Sequence, residues 1–256
     1  YLLLTKTELK TIKARYWSGY DGLPDKSEKE RKDISDKPDK DTDNHLTKSI
    51  YSLIKFDKNK EFLLIGDTSL SKLKFQQNIK RRAHIHIVPN TGSFFMDIKS
   101  VLEISPVFER VKKVFIQCSI NYQSIEQKGF RNAVFHTVKN FTPMLQALAH
   151  SFPKAGVVIS GLLPDRDNEF ANIVNAVNAI IKTESETTDI KFEKQDMRFV
   201  NFQQHFIDEN SVAKTELFKP ITSLQDLKQD QLSSEGQDML VKLIQSAITG
   251  SDGPKM

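Results

Sequence analysis

The chain has 256 residues, 38% of them hydrophobic, and its 37 basic and 33 acidic side chains leave a net charge of +4. That length holds one full core with an appendage or two small domains, and so small a charge excess does not by itself demand an anionic partner. A lone cysteine, Cys118, excludes an intramolecular disulfide and a multi-cysteine zinc site and leans towards a reducing, intracellular compartment.

Tyr1 to Tyr20 carries Leu2, Leu3, Leu4, Leu9, Ile12, Tyr16 and Trp17, enough for an anchoring arm and too little for a domain. The chain opens on Tyr1 as a processed or trimmed polypeptide would, and Leu2-Leu3-Leu4 gives way to Lys6 and Glu8, short of a signal peptide's apolar stretch. Residues 21–48 read as a linker. Between Asp25 and Asp43, 14 of 19 residues are charged with mixed sign, so the segment cannot bury enough surface to offset its ordering entropy.

Residues 49–250 read as the folded domain, with 251–256 as a tail. Short apolar runs rich in β-branched residues alternate there with helical periods, the pattern of a parallel α/β sheet. Five runs have strand length: Phe62 to Ile65, Ile85 to Val88, Val114 to Cys118, Val157 to Ser160 and Met197 to Val200. Helices are predicted over Asn132 to Ser151, with Pro143 splitting or kinking the pattern, over Asn168 to Thr183, and over Ser234 to Ala247. Asp167-Asn168 and Ser233-Ser234 are the expected N-caps. No apolar run approaches the ~20 residues that cross a bilayer.

His84 and His86 alternate along the second strand and share a face, as a metal pair would, although ordinary strand histidines look the same. Lys72, Lys74, Lys80, Arg81 and Arg82 form the densest basic cluster, either a solvated helix face or a patch for phosphate. Asp165 and Arg166, after the fourth strand, are candidate ligand contacts. Phe94, Phe95, Phe202, Phe206 and Phe218 fall near predicted loops, where exposed aromatics would serve a protein partner. Cys118 reads as a small core residue. The chain contains no Gly-rich phosphate loop, no Cys/His zinc spacing and no His-Glu-x-x-His, so no metal or cofactor is expected.

Four blocks carry a family likeness: Leu63-Leu64-Ile65-Gly66-Asp67-Thr68-Ser69-Leu70, Gln117-Cys118-Ser119-Ile120-Asn121-Tyr122, Phe152 to Arg166, and Asp230-Gln231-Leu232-Ser233-Ser234-Glu235-Gly236. In order and spacing they resemble SGNH (GDSL-type) hydrolases over roughly Phe62 to Ile248, and Phe152 to Arg166, continued by Asn168 to Ile181 with Asn172, Asn175 and Asn178, is similar to SGNH-like domains of mobile-element and virus-associated proteins. The resemblance implies a flavodoxin-like three-layer α/β/α sandwich on a five-stranded parallel sheet, with the site at the carboxyl ends of the strands. It also implies roles that this chain does not keep. Thr68 stands at the nucleophilic serine, Gln231 at the catalytic histidine, Lys228 at the orienting aspartate, and Ser119 at the glycine of the oxyanion block, where only Asn121 is retained.

Glutamine cannot accept and return a proton near neutral pH. The expectation is therefore a pseudoenzyme without cofactor, a structural or protein-binding module that self-assembles or holds a partner in a viral or mobile-element setting. Two alternatives stand beside it: a weak acyl or acetyl esterase using Thr68 with a recruited base such as His205, and a nucleic-acid-binding accessory domain using the basic cluster.

Overall fold

The computed structural model describes residues 60–88, 94–103, 107–120, 128–164, 166, 170–188, 190, 197–219 and 232–250. The expected arm at 1–20, linker at 21–48 and tail at 251–256 lie outside the described residues, as do Asn121, Asp165, Lys228 and Gln231.

Five parallel strands form one sheet in the order β2-β1-β3-β4-β5: β1 Phe62–Gly66, β2 Ala83–Ile87, β3 Lys113–Gln117, β4 Gly156–Ser160 and β5 Met197–Val200. The apolar runs are continuous because both faces of the sheet are covered. Leu63, Ile65, Val114, Ile116, Val157 and Ile159 pack into one core. Alternate residues Phe62, Leu64, Phe115 and Val158 enter the other. Helices α3 (Phe94–Glu103), α4 (Phe130–Val138), α5 (Phe141–Ser151) and α6 (Ala171–Thr187) close the first core. The short helices α1 (Thr68–Ser71), α2 (Gln77–Arg82) and α7 (Gln203–Phe206), a 3-10 turn at Thr215–Leu217 and the last helix α8 (Ser234–Thr249) close the second. This is the predicted three-layer α/β/α sandwich.

The helical pattern over Asn132 to Ser151 is split between α4 and α5, and Pro143 occupies the third position of α5. In that first turn a missing N–H leaves no intrahelical bond unmade. Ser233 caps α8 as expected, its Oγ accepting the Gly236 N–H at 3.1 Å, and Gly250 ends the helix at φ 72° in the left-handed region glycine favours. The N-cap of α6 is Phe170, without a side-chain cap bond, rather than Asp167-Asn168.

The loop aromatics are corrected by burial. Phe94 and Phe95 open α3 and are 2% and 0% exposed, and Phe202, Phe206 and Phe218 are equally buried. Phe95 meets Phe141 edge-on at 5.0 Å, and Phe115 stacks on Phe202 at 6.1 Å. Among the described residues, Phe130 and Phe135 on α4 and Met96 on α3 are the large apolar side chains that helices expose.

His84 and His86 lie on the edge strand β2 on the face opposite Ala83, Ile85 and Ile87. His86 is buried, and burial, with the neighbouring His84 adding to it, lowers its pKa to about 4. Because an unfolded histidine titrates near 6.5, the unfolded chain binds this proton first, and stability falls as pH drops from about 6.5 to about 4. The expected loss is roughly 3 kcal/mol. Urea unfolding over that window should show a smaller loss in His86→Gln than in the wild-type chain. Among the described residues no group of three His, Cys, Asp or Glu side chains is placed to hold a metal ion.

Candidate functional site

In an open parallel sheet the crevice forms where strand order reverses. Here the chain leaves β1 towards β2 on one side and returns to β3 on the other, so the switch point lies between the carboxyl ends of β1 and β3. Those ends carry Asp67-Thr68-Ser69 and Cys118-Ser119, the first and second blocks of the sequence likeness.

Asp67 organises this point. Its backbone is extended and it caps α1: Oδ1 accepts the Ser69 N–H at 2.9 Å and the Ser69 hydroxyl at 2.6 Å. Oδ2 accepts the Ser119 hydroxyl, which bridges the crevice from β1 to β3. The carboxylate is thus committed to holding two strand ends and a helix start. Gly66 below it is set by packing, since a Cβ there would lie 2.9 Å from Leu70 Cδ2 and 3.3 Å from Gln117 Cβ.

Thr68 is the first residue of α1 and is exposed. Its carbonyl accepts the Ser71 hydroxyl at 2.7 Å, while its own hydroxyl makes no hydrogen bond to a described residue. The described imidazoles of His84, His86, His136, His150 and His205 are therefore not bonded to it. His205 lies on α7 after β5, three strand positions from β1, or roughly 14 Å across the sheet. Burial, and then the Lys214 charge, hold its pKa below the usual histidine value.

Around the same edge Cys118 is buried, and burial drives its thiol pKa far up, as fits a core residue. Gln117 is buried with its Oε1 unbonded among the described residues, and its Nε2 only approaches the Cys118 carbonyl at 3.5 Å. At the end of β4, Asn178 from α6 clamps one residue: its Oδ1 accepts the Leu162 N–H at 2.7 Å and its Nδ2 donates to the Leu162 carbonyl at 3.0 Å. Gln203 ties Asn175 and Asn178 together, donating to the first at 2.8 Å and accepting from the second at 3.3 Å. Arg166 donates to the Lys219 carbonyl, which fixes it to the segment after the 3-10 turn.

The basic cluster is divided by topology. Lys72 follows α1 at the carboxyl edge of the sheet, whereas Lys80, Arg81 and Arg82 end α2 at the amino edge, where β2 begins. Lys74 lies between, and all five side chains are exposed.

Solved structures of similar fold include a Streptococcus pneumonia protein described as a platelet activating factor, 15% identical, with a TM-score of 0.59 over 80% of this chain and 92% of that one. A GDSL-like lipase from Bacteroides thetaiotaomicron is 15% identical, with a TM-score of 0.55 over 82% and 98%. The OSK domain of Drosophila Oskar is 12% identical, with a TM-score of 0.53 over 77% and 95%. No protein-family model matches the chain, and no curated protein is similar to it in sequence. The fold is thus that of the SGNH (GDSL-like) hydrolases, shared by lipases and by the OSK domain.

Proposed function

We propose that this chain is a catalytically inactive SGNH-hydrolase-like domain that works as a structural or protein-binding module. One observation carries the reading: at the nucleophile position Thr68 offers an exposed hydroxyl with no base bonded to it among the described residues, while the carboxylate beside it is spent on Ser69 and Ser119. A threonine attacks a carbonyl only when a base takes its proton, and its β-methyl crowds the approach. Gln231, at the family's histidine, cannot take the proton, and Lys228, at its aspartate, has the wrong charge to orient an imidazole.

A binding role draws support from the apolar side chains exposed on packed neighbours α3 and α4, namely Met96 and Phe130, each 51% exposed, and Phe135. The setting in a viral or mobile-element assembly rests on the sequence resemblance of Phe152 to Arg166 and Asn168 to Ile181 alone. The competing esterase reading draws on the position of Thr68 at the head of α1, where an activated hydroxyl would face the crevice. Hydrolysis of p-nitrophenyl acetate separates the two: the module reading expects equal rates from the wild-type chain and Thr68→Ala.

A further inference from the structure

The amino edge of the sheet, opposite the crevice, carries a cleft of about 520 Å³ lined by Lys60, Arg110, Lys112 and Lys154 against the two carboxylates Glu61 and Glu109. We propose that this cleft binds the phosphate backbone of a nucleic acid strand. It is a different face from the crevice, and the proposal holds or fails independently of whether Thr68 is catalytic.

The cations come from separate stretches of sequence and are aligned by the sheet. Arg81 precedes β2, Lys60 precedes β1, Lys112 precedes β3 and Lys154 precedes β4. In the order β1-β3-β4 Lys60, Lys112 and Lys154 stand at successive strand entries of the cleft, a row roughly 10 Å long at about 4.8 Å per strand, with Arg81 beyond it at β2. One strand of a duplex carries a phosphate per about 3.4 Å of helix axis, so a row of this length spans more than one phosphate whether the strand is stacked or extended. A single small phosphate would not engage so long a row.

The groups are partly preordered. Lys60 Nζ donates to the Lys80 and Arg81 carbonyls at 3.3 and 2.7 Å, which anchors the lysine against the end of α2. Glu61 holds both Arg82, at 2.5 Å, and Lys112, at 3.0 Å, and Glu109 approaches Lys154 at 3.4 Å. Arg110 is exposed and forms no ion pair with a described carboxylate.

Positive charge is crowded here beyond what the chain's +4 would distribute evenly. The lining also includes Val111, itself buried, and offers no exposed apolar side chain of the kind that inserts into a membrane.

The test is fluorescence anisotropy of the full chain with a labelled 20-nucleotide single strand of mixed sequence. Binding at 50 mM NaCl is expected to weaken at least tenfold by 200 mM. Arg110→Glu with Lys154→Glu should cost a further tenfold or more and flatten the log–log salt slope by about 1.4, two phosphate contacts' worth. Arg110→Gln alone should weaken binding less, in the same direction. The control pair Lys72→Glu with Lys74→Glu, away from the cleft, should change affinity less than twofold. Absence of binding at 50 mM salt, equal losses from the two double variants, or displacement by poly-L-glutamate as effective as by unlabelled strand would each overturn the proposal, the last in favour of an acidic protein partner.

Discussion

Asn178→Leu should destabilise the domain by about 2–5 kcal/mol. Leucine keeps the branching of asparagine without its polar atoms, and its bulkier methyl groups add some overpacking to the lost hydrogen bonds. Asn178 is 5% exposed, and its amide satisfies both the N–H and the carbonyl of Leu162, which is itself 2% exposed. Removing it strands a buried donor and a buried acceptor, each worth about 1–3 kcal/mol when left unpaired. Asn178→Asp is expected to be no better, because a carboxylate keeps the acceptor for the Leu162 N–H and turns a charge towards its carbonyl. Gly161 shows how little slack the site has, since a Cβ there would lie 2.8 Å from Asn178 Oδ1. Urea unfolding should show a lower midpoint with the slope unchanged. A loss below 1 kcal/mol would mean that water or a backbone shift replaces the clamp.

Gly236→Ala gives the second large effect, and its sign is the informative part. Gly236 lies in the first turn of α8, where helix propensity alone favours alanine by about 1 kcal/mol. A Cβ at that position would, however, lie 2.1 Å from the Leu217 carbonyl oxygen, main chain that cannot rotate away. The same oxygen accepts the Ser233 N–H at 3.0 Å, and Ser233 Oγ donates to the Glu216 carbonyl at 2.7 Å, so helix start and 3-10 turn are joined at this point. Overpacking of this kind costs about 1–3 kcal/mol. The variant should therefore melt below the wild-type chain; a higher melting temperature would show that the helix start moves freely off the turn.

The strands were legible because each is buried on both faces and reads as a short continuous apolar run. Leu63-Leu64-Ile65 and Val157-Val158-Ile159 leave no other pattern open. Strand β2 was displaced by two residues at its start, since Ala83 and His84 carry no apolar signal. Helix α3 was missed altogether. Phe94-Phe95-Met96 begins it with adjacent aromatics, which suggest a loop patch until tertiary packing turns Phe94 and Phe95 inward and leaves Met96 outside.

At the candidate site the motif located the crevice, but the work of its residues was not visible. Asp67 was read as part of a degenerate catalytic block, whereas its carboxylate tethers β3 through Ser119, a contact across 52 residues that no local spacing announces. In the sequence the asparagines of α6 carry no more than a family likeness, and the pairing of Asn178 with Leu162 depends on β4 and α6 meeting. The cations of the lower cleft were hidden for the same reason. Lys60, Lys112 and Lys154 are far apart in sequence, and only strand order makes them neighbours.

The most direct test of the central claim is the rate of p-nitrophenyl acetate hydrolysis by the purified chain beside Thr68→Ala and Thr68→Ser. All three should match the uncatalysed rate, because among the described residues no base is bonded to the hydroxyl at position 68. Hydrolysis by the wild-type chain that Thr68→Ala abolishes would contradict it, and would establish Thr68 as a working nucleophile.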